Sequence, residues 1–282
     1  MPLTLSAINR FPVKSCRGEA LRSALTEPWG ISGDRRWMVV DEDGEAITAR
    51  EQRRLLLVRP QLEDGGLLVR AEGRPDLHVT VPEVPDVKVT VFGRAPLAAC
   101  QADPAAHAWF SELLGVPARL VYQDEPTRRR LNPDFGEPDD SAAFQDGYPL
   151  MMTTAASLAA LNELISAGPR ADEGPLPMIR FRPSVVVDGS AAWEEDGWRR
   201  LRIGAARFRV VKGCDRCVIP TTHPDTAARG KEPIATLAKH RRWDGATWFG
   251  MQLIPDTPGV TINVGDEVEV LESVPAPDGP PR

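Results

Sequence analysis

The sequence predicts a mixed fold that is mostly β, with a few helices. Short apolar and β-branched runs fill the first 125 residues and suggest a β-barrel or curled sheet. A polar connection over residues 124–145 then marks a boundary, after which strands alternate with turns. At 282 residues the chain is long enough for two domains with separate cores. We therefore predict a first domain over residues 1–125, a second over 126–272, and a disordered tail over 273–282 with four prolines.

The strands of the first domain are predicted from apolar or β-branched runs. Turn-forming pairs such as Asp43-Gly44 and Gly65-Gly66 separate these runs. In chain order the predicted strands are Leu3–Val13, Arg36–Val40, Leu55–Val58, Gly66–Val69, Leu77–Val81 and Val87–Phe92.

Three helices are predicted from residues that favour helix ends. Pro104 and Gly115 bound the first helix, and Thr153 or Thr154 can cap the second, which Gly168 ends. The predicted helices are Pro104–Leu114, Ala155–Ile165 and Pro233–His240. The strands predicted after the first helix are Ala118–Tyr122, Phe181–Val187, Trp198–Ile203, Ala206–Val211, Thr247–Ile254, Val260–Ile262 and Glu267–Leu271.

Composition excludes several classes of protein. A hydrophobic share of 42% with 26% charged residues is typical of a soluble globular protein. The formal net charge of -6 argues against a general nucleic-acid binder, and clusters such as Arg128–Arg130 suggest a local anionic ligand instead. On composition alone, the segment that holds those arginines is a solvated linker. No apolar run is long enough to span a membrane, and four Cys fit a reducing compartment, so we expect a cytoplasmic protein.

Cys214 and Cys217 form a C-x-x-C pair after a predicted strand. Pro220 and Pro224 keep the chain from continuing as a helix, so both thiols are predicted on an irregular loop. A redox dithiol would need a helix N-terminus at its first Cys, and a zinc site would need more ligands than His223 offers nearby. Either Cys can also be a small buried apolar residue. A lone C-x-x-C does not decide between these alternatives.

Longer blocks of sequence carry a resemblance to a known family. Residues 214–226, from Cys214-Asp215-Arg216-Cys217 to Thr226, resemble the signature of MOSC-domain molybdenum-cofactor proteins. The resemblance is to the branch that contains the mitochondrial amidoxime-reducing component and its bacterial relatives. Further blocks of this branch recur in the same order: Phe11 to Ser15, Asp34 to Trp37, Thr48 to Arg50, Phe181 to Val187, Trp193 to Asp196 and Val264 to Val268. The resemblance implies an N-terminal β-barrel-like domain packed on a MOSC β-barrel domain.

The resemblance implies roles for residues around the C-x-x-C pair. Cys217 would be the thiolate ligand of molybdenum, which in its higher oxidation states binds soft sulfur. Arg216 would help to keep that thiol ionised, and Cys214 would be structural or accessory. Asp146 resembles the family's acid close to the metal, where it could relay a proton or hold water, although it can also be a turn-forming Asp before Gly.

The same resemblance implies a cradle for the pyranopterin and phosphate of the molybdenum cofactor. Such a cradle needs cationic side chains and backbone amides. Ser184 replaces the Asn that is common in the family, which puts its hydrogen bond to the cofactor in doubt. Arg182, within a predicted apolar strand, would need a partner if its side chain points inward. The positions assigned to the cradle are Lys14, Ser15, Arg35, Arg182, Ser184 and Arg216.

The activity that the resemblance implies is reduction of N-hydroxylated compounds, such as amidoximes, hydroxylamines or N-hydroxylated bases. The alternative is a carrier of sulfur, as a persulfide on Cys217, or of the cofactor itself. The sequence has no cluster of four Cys for an iron–sulfur centre and no Gly-x-Gly-x-x-Gly segment after a strand. We therefore expect electrons from a separate ferredoxin-like or cytochrome partner with its reductase. The family is also associated with pyridoxal phosphate binding.

Overall fold

The computed structural model describes residues 2–275 and Gly279. Within them the fold is mostly β, with three α-helices, which confirms the predicted fold class. The strands are β1 (Leu3–Arg10), β2 (Glu19–Leu21), β3 (Ser23–Glu27), β4 (Gly30–Ile31), β5 (Trp37–Val40), β6 (Arg59–Glu63), β7 (Gly66–Arg70), β8 (Leu77–Thr80), β9 (Val87–Val89), β10 (Leu97–Gln101), β11 (Arg119–Tyr122), β12 (Leu150–Thr154), β13 (Val185–Asp188), β14 (Trp198–Ile203), β15 (Ala206–Asp215), β16 (Arg242–Trp243), β17 (Ala246–Pro255), β18 (Thr261–Asn263) and β19 (Glu267–Ser273). The α-helices are α1 (Pro104–Leu114), α2 (Ala155–Ser166) and α3 (Ile234–His240). The 3-10 helices are Arg53–Leu57, Pro126–Arg128, Ala171–Glu173, Met178–Phe181, Glu194–Gly197 and Ile219–Thr221.

Seven strands close into a barrel in the order β12, β13, β1, β19, β14, β15 and β17, and β17 pairs back onto β12. Closure leaves these strands without a free edge on the ring. β1 lies between β13 and β19, so the start of the chain completes a barrel that is otherwise built after residue 149. Leu5 and Ile8 of β1 are fully buried in this barrel's core, beside Trp198 and Phe208.

A second core lies under the remaining strands of the first half. β5, β11, β10 and β9 form one sheet, and β6, β7 and β8 form another. Trp37, Leu67, Phe110 and Leu120 are buried together there, because α1 packs its apolar face against these sheets. The division into domains at residue 125 stays a prediction. In the described part of the chain, no helix has the length and apolar character needed to cross a membrane.

Several predicted elements are confirmed where local end signals are strong. α1 spans the predicted residues, with Asp103 as its N-cap and Gly115 in the left-handed conformation after it. Thr154 caps α2, since its side chain accepts a hydrogen bond from the amide of Ser157. β14 also has the predicted bounds. β19 runs past Leu271 to Ser273, and residues 276–278 and 280–282 of the predicted tail lie outside the described residues.

Three predicted elements near the site are wrong. Residues 53–57 form a 3-10 helix rather than a strand over Leu55–Val58. The predicted strand Phe181–Val187 starts only at residue 185, because Met178–Phe181 is a 3-10 helix that ends at Arg182 with φ of 56°. β15 continues to residue 215, so Cys214 lies in a strand and not on a loop. A short apolar run has no periodicity that separates a strand from a helical turn.

Glu195 gives a stability prediction, because it is fully buried beside the start of α2. Its Oε2 accepts hydrogen bonds from the hydroxyls of Thr154 (3.1 Å) and Ser157 (2.8 Å). Burial, with a smaller contribution from Asp196, raises the pKa of Glu195 to about 7. The folded state therefore favours the protonated carboxyl. Its contribution to stability is fully present below its unfolded pKa and is lost as the pH rises through about 7.

We expect Glu195→Gln to gain stability over the wild type as the pH rises, because glutamine has no charge to bury. The unfolding free energy of the variant minus that of the wild type should increase by on the order of 2–3 kcal/mol from pH 5 to pH 8. Urea denaturation at both pH values measures it. An equal difference at the two pH values would show that Glu195 does not titrate in this range.

Candidate cofactor and active site

Two cavities meet at Cys217. The inner cavity has a volume of about 120 Å³ and the outer cavity about 630 Å³. The inner cavity extends towards Lys14, Arg35 and Arg182, whereas the outer cavity opens towards residues 129–135. The residues that line both are Asp146, Gly147, Tyr148, Cys214, Arg216, Cys217 and Gln252. A group bound to the Cys217 sulfur would therefore have the inner cavity on one side and the outer cavity on the other.

The two cysteines occupy different environments. Cys217 follows β15, comes just before the 3-10 helix Ile219–Thr221, and is partly exposed. Cys214 is buried within β15, and this burial raises the pKa of its thiol. The reactive form of Cys is the thiolate, which burial without compensation disfavours. The structure thus leaves Cys217 as the accessible thiol of the pair.

Arg216 contacts the sulfur of Cys214. Its Nη1 lies 3.0 Å from the Cys214 sulfur, and its Nη2 donates a hydrogen bond to the carbonyl of Phe181 (2.8 Å). These contacts hold the guanidinium over the wall that both cavities share. The predicted help of Arg216 in ionising Cys217 stays a prediction.

Arg50 is the cation that interacts with Cys217, and it was not predicted as a site residue. Its Nη2 donates to Asp146 Oδ2 at 2.8 Å, and its guanidinium also interacts with the Cys217 sulfur. Burial acts to lower the pKa of Arg50, but Asp146 and Cys217 outweigh it and raise that pKa. The family block Thr48 to Arg50 was the only sequence signal for this residue.

Lys14 and Asp146 form an ion pair between the cavities. Lys14 is 3% exposed, and its Nζ also donates to the carbonyl of Phe144 at 2.7 Å. Burial lowers the pKa of Lys14 to about 8, although Asp146 acts in the opposite direction. For Asp146, desolvation acts to raise the pKa, but Lys14 and Arg50 hold it below its usual range. Asp146 is therefore a carboxylate at neutral pH.

Backbone hydrogen bonds fix the segments that carry these side chains. The amide of Lys14 donates to the carbonyl of Trp37 (2.8 Å), and the amide of Arg35 donates to Phe11 (2.8 Å). The amide of Phe144 donates in turn to the carbonyl of Arg35 (2.9 Å). These hydrogen bonds hold residues 11–14, 35–37 and 144, which are distant in sequence, next to one another at the inner cavity.

Arg35 and Arg182, which both line the inner cavity, stack on the ring of Phe11. Their guanidinium carbons lie 4.3 Å and 4.2 Å from the centre of the Phe11 ring. Arg182 Nη1 also donates to the carbonyl of Cys16 at 2.7 Å. Burial first, and then the charge of Arg35, lower the pKa of Arg182 to about 10. Arg35 already has an anion beside it, because its Nη1 donates to Asp34 Oδ2, whereas the Arg182 guanidinium has no carboxylate partner among the described residues and would favour an anionic ligand.

Three of the predicted cradle residues have a left-handed backbone. The φ angles are 67° at Ser15, 47° at Arg35 and 56° at Arg182. Residues other than glycine adopt this region at a cost, and such residues cluster at ligand-binding sites. All three line the inner cavity. This backbone strain is consistent with a site built to hold a ligand.

Ser184 is not among the residues that line either cavity. It is fully buried, and its hydroxyl accepts a hydrogen bond from the amide of Met151 at 3.3 Å. Its own amide donates to the carbonyl of Met151 at 2.8 Å, which ties the start of β13 to β12. The structure thus brings the other predicted cradle residues together and leaves Ser184 in the barrel wall.

The arginine cluster over residues 128–130 divides between two environments. Arg129 is buried, and its guanidinium donates to the carbonyls of Ala143 (2.5 Å) and Asp146 (3.3 Å). Arg129 and Arg130 line the outer cavity, whereas Arg128 pairs with Asp124 on the surface. The segment is therefore part of the site and not a solvated linker.

The residues around the inner cavity fit an anionic, polar cofactor held through one thiolate. Gln145 Oε1 and Arg216 Nε are buried without a hydrogen-bond partner in the described structure, so a polar ligand would satisfy them. Among the described residues, no group of three or more His, Cys, Asp and Glu side chains is arranged to hold a metal ion. Structural zinc needs about four protein ligands, so a zinc site does not fit this arrangement.

Comparisons with known proteins agree with this geometry. The family model for the MOSC N-terminal beta barrel domain matches residues 2–117. The family model for the MOSC domain matches residues 139–269. The chain is 31% identical, over 95% of its length, to mitochondrial amidoxime-reducing component 1 from Homo sapiens, of which it covers 83%. It is 34% identical, over 94% of its length, to mitochondrial amidoxime reducing component 2 from Bos taurus, of which it covers 82%.

A further relative is the molybdenum cofactor sulfurase from Oryza sativa subsp. japonica. This protein is 32% identical over 88% of the present chain, which spans only 32% of the sulfurase. The relatives thus connect the chain with molybdenum-cofactor proteins. The chain belongs to the MOSC-domain family that includes the mitochondrial amidoxime-reducing components.

Proposed function

We propose that this protein is a molybdenum-cofactor-dependent reductase of N-hydroxylated compounds, with Cys217 as the protein ligand of molybdenum. The observation that carries the proposal is the position of Cys217 between a cationic inner cavity and an open outer cavity. A carrier needs a thiol and a binding site, but a reductase also needs space for substrate on the far side of the metal. The relatives named as amidoxime-reducing components support the same activity.

The cofactor would supply two electrons and accept the oxygen of an N–OH group, and the chain would supply its ligand, cradle and approach. Arg35 and Arg182 would neutralise the anionic part of the cofactor. Arg50, which lines the outer cavity together with Cys217 and pairs with Asp146, would hold positive charge beside the metal site. Ser184 lies in the barrel wall, and its contact with the cofactor stays a prediction.

The proton supply would involve Lys14 and Asp146. Because Asp146 is held as a carboxylate by two cations, we assign it the role of hydrogen-bond acceptor and positioning group rather than proton donor. Lys14, with a pKa of about 8, can release a proton near neutral pH and regain it from solvent. Two protons and two electrons convert an N-hydroxylated compound into the amine or amidine and water.

The proposed function is tested with two electron donors. We expect the purified, cofactor-loaded protein to reduce benzamidoxime with a reduced viologen, but not with NADH alone. The physical reason is that the sequence offers neither a dinucleotide-binding segment nor ligands for an iron–sulfur cluster. A separate redox protein would then supply the electrons through a small, transient interface. Robust turnover with NADH alone would contradict this account, and no turnover with either donor would sink the reductase proposal.

A second candidate is a carrier that holds sulfur as a Cys217 persulfide or passes on the cofactor. The similarity to a molybdenum cofactor sulfurase favours it. Metal analysis and cyanolysis separate the two: the reductase retains molybdenum, whereas the carrier releases cyanide-labile sulfur from a metal-free protein. A cytoplasmic location and pyridoxal phosphate binding stay predictions.

A further inference from the structure

The outer cavity is far more cationic than the rest of the protein. Six basic side chains line it against two acidic ones, in a chain whose formal net charge is -6. Only two of the six, Arg50 and Arg216, are accounted for by their contacts with Asp146 and the cysteines. The other four are Arg94, Arg129, Arg130 and Lys212.

Three of these four cations have weak or no acidic partners. Arg129 is 6% exposed, and among the described residues its guanidinium donates hydrogen bonds to backbone carbonyls and to no carboxylate. In the described part of the chain, the exposed Arg94 side chain makes no hydrogen bond or ion pair. Lys212 approaches Asp215 no closer than 3.8 Å. A buried guanidinium without a carboxylate carries a desolvation cost that a bound anion would offset.

Aromatic rings stand beside these cations. Phe135 and Tyr148 pack edge to face, with 6.4 Å between their ring centres, and both line the outer cavity. Phe92 is 39% exposed at the same cavity and has a left-handed φ of 57°. The Arg50 guanidinium lies 4.2 Å from the centre of the Phe92 ring and Lys14 Nζ lies 5.0 Å from it, so this ring is packed against cations beside Cys217, and Phe135 and Tyr148 are the rings left for a planar group. The cavity therefore combines sites for an anion and for a flat ring.

We propose that the outer cavity selects substrates that combine an N-hydroxylated planar ring or amidoxime with a phosphate or carboxylate group. Arg94, Arg129 and Lys212 receive the anion, and the aromatic rings receive the planar part while its N–OH group faces Cys217. The inference rests on the proposed reductase function and names its substrate class. The cations of the inner cavity, Arg35 and Arg182, remain for the cofactor.

The experiment compares matched substrates with the cofactor-loaded protein and a reduced viologen. One pair is N4-hydroxycytidine and its 5′-monophosphate, and the other is benzamidoxime and 4-carboxybenzamidoxime. We expect KM to be lower by roughly tenfold for the anionic member of each pair, as a charge-assisted hydrogen bond predicts. Arg94→Ala combined with Lys212→Ala should remove most of this preference. Arg207→Ala, at an exposed arginine that lines neither cavity, should keep it.

A binding measurement separates this inference from the reductase proposal. Calorimetry with cytidine and cytidine 5′-monophosphate, neither of which can be reduced, should show tighter binding of the monophosphate to the wild type than to the double variant. That result supports the anion site even if no N-hydroxylated substrate is turned over. Equal binding of cytidine and cytidine 5′-monophosphate to the wild type overturns the proposed anion site. Loss of molybdenum from the double variant also overturns it, because these cations would then belong to the cofactor. A preference in only one substrate pair supports the site for that anion.

Discussion

Replacing Cys217 with alanine is expected to abolish molybdenum binding and reductase activity while leaving the fold intact. The thiol is partly exposed after the end of β15 and belongs to neither core, so its loss removes little packing. Cys214→Ala is the matched control from the same motif. It should keep most of the metal, because Cys214 is buried and its sulfur is engaged by Arg216.

Metal content after gel filtration, together with circular dichroism, measures both variants. We expect the Cys217→Ala variant to be folded and free of metal, and the Cys214→Ala variant to be folded and to retain metal. Equal loss of metal from the two variants would contradict the assignment of a single ligand and favour a dithiol site. We also expect a modest loss of stability in the Cys214→Ala variant, because the buried Cys214 side chain packs in an apolar cluster that contains Phe249.

The second large effect is expected for Arg182→Gln, which removes a buried positive charge from the inner cavity. Glutamine keeps a polar side chain, shorter than that of arginine, but cannot make a charge-assisted hydrogen bond to phosphate. We expect cofactor retention to weaken by about 1–3 kcal/mol, or roughly tenfold or more in the dissociation constant. Timed release of the cofactor during dialysis measures the loss.

Arg180→Gln is the control, because Arg180 lies two residues away, in the 3-10 helix that precedes Arg182, and does not line the inner cavity. It should retain the cofactor as the wild type does. If Arg182→Gln keeps full occupancy but loses turnover, Arg182 serves the substrate rather than the cofactor. If both variants lose the cofactor equally, the effect comes from the helical turn and not from the charge.

Elements with strong local signals were predictable from the sequence. Pro104 and Gly115 marked both ends of α1, because proline suits a first helical turn and glycine accepts a left-handed backbone after the last one. The 3-10 helix before Arg182 was not predictable, because its residues Met178, Ile179 and Phe181 are apolar, as in a short strand. Barrel closure was equally hidden, since β1 pairs with strands more than 170 residues away.

The candidate site shows the same division. The sequence motif led to Cys217, and most of the cradle residues line one cavity as the resemblance implied. Arg50 was missed because its importance depends on two long-range contacts, with Asp146 and with Cys217. Arg216 was predicted to act on Cys217, whereas the contact that the structure shows is with Cys214, because adjacency in sequence does not decide which way a side chain points at the end of a strand.

The most direct test of the central claim is the molybdenum and pterin content of the protein, purified from a host that makes the cofactor. We expect the protein to contain close to one molybdenum per chain. Molybdenum X-ray absorption should show a sulfur ligand from the protein that disappears when Cys217 is replaced by serine. Protein that is free of molybdenum and pterin, with cyanide-labile sulfur on Cys217, would contradict a resident cofactor and favour the sulfur carrier.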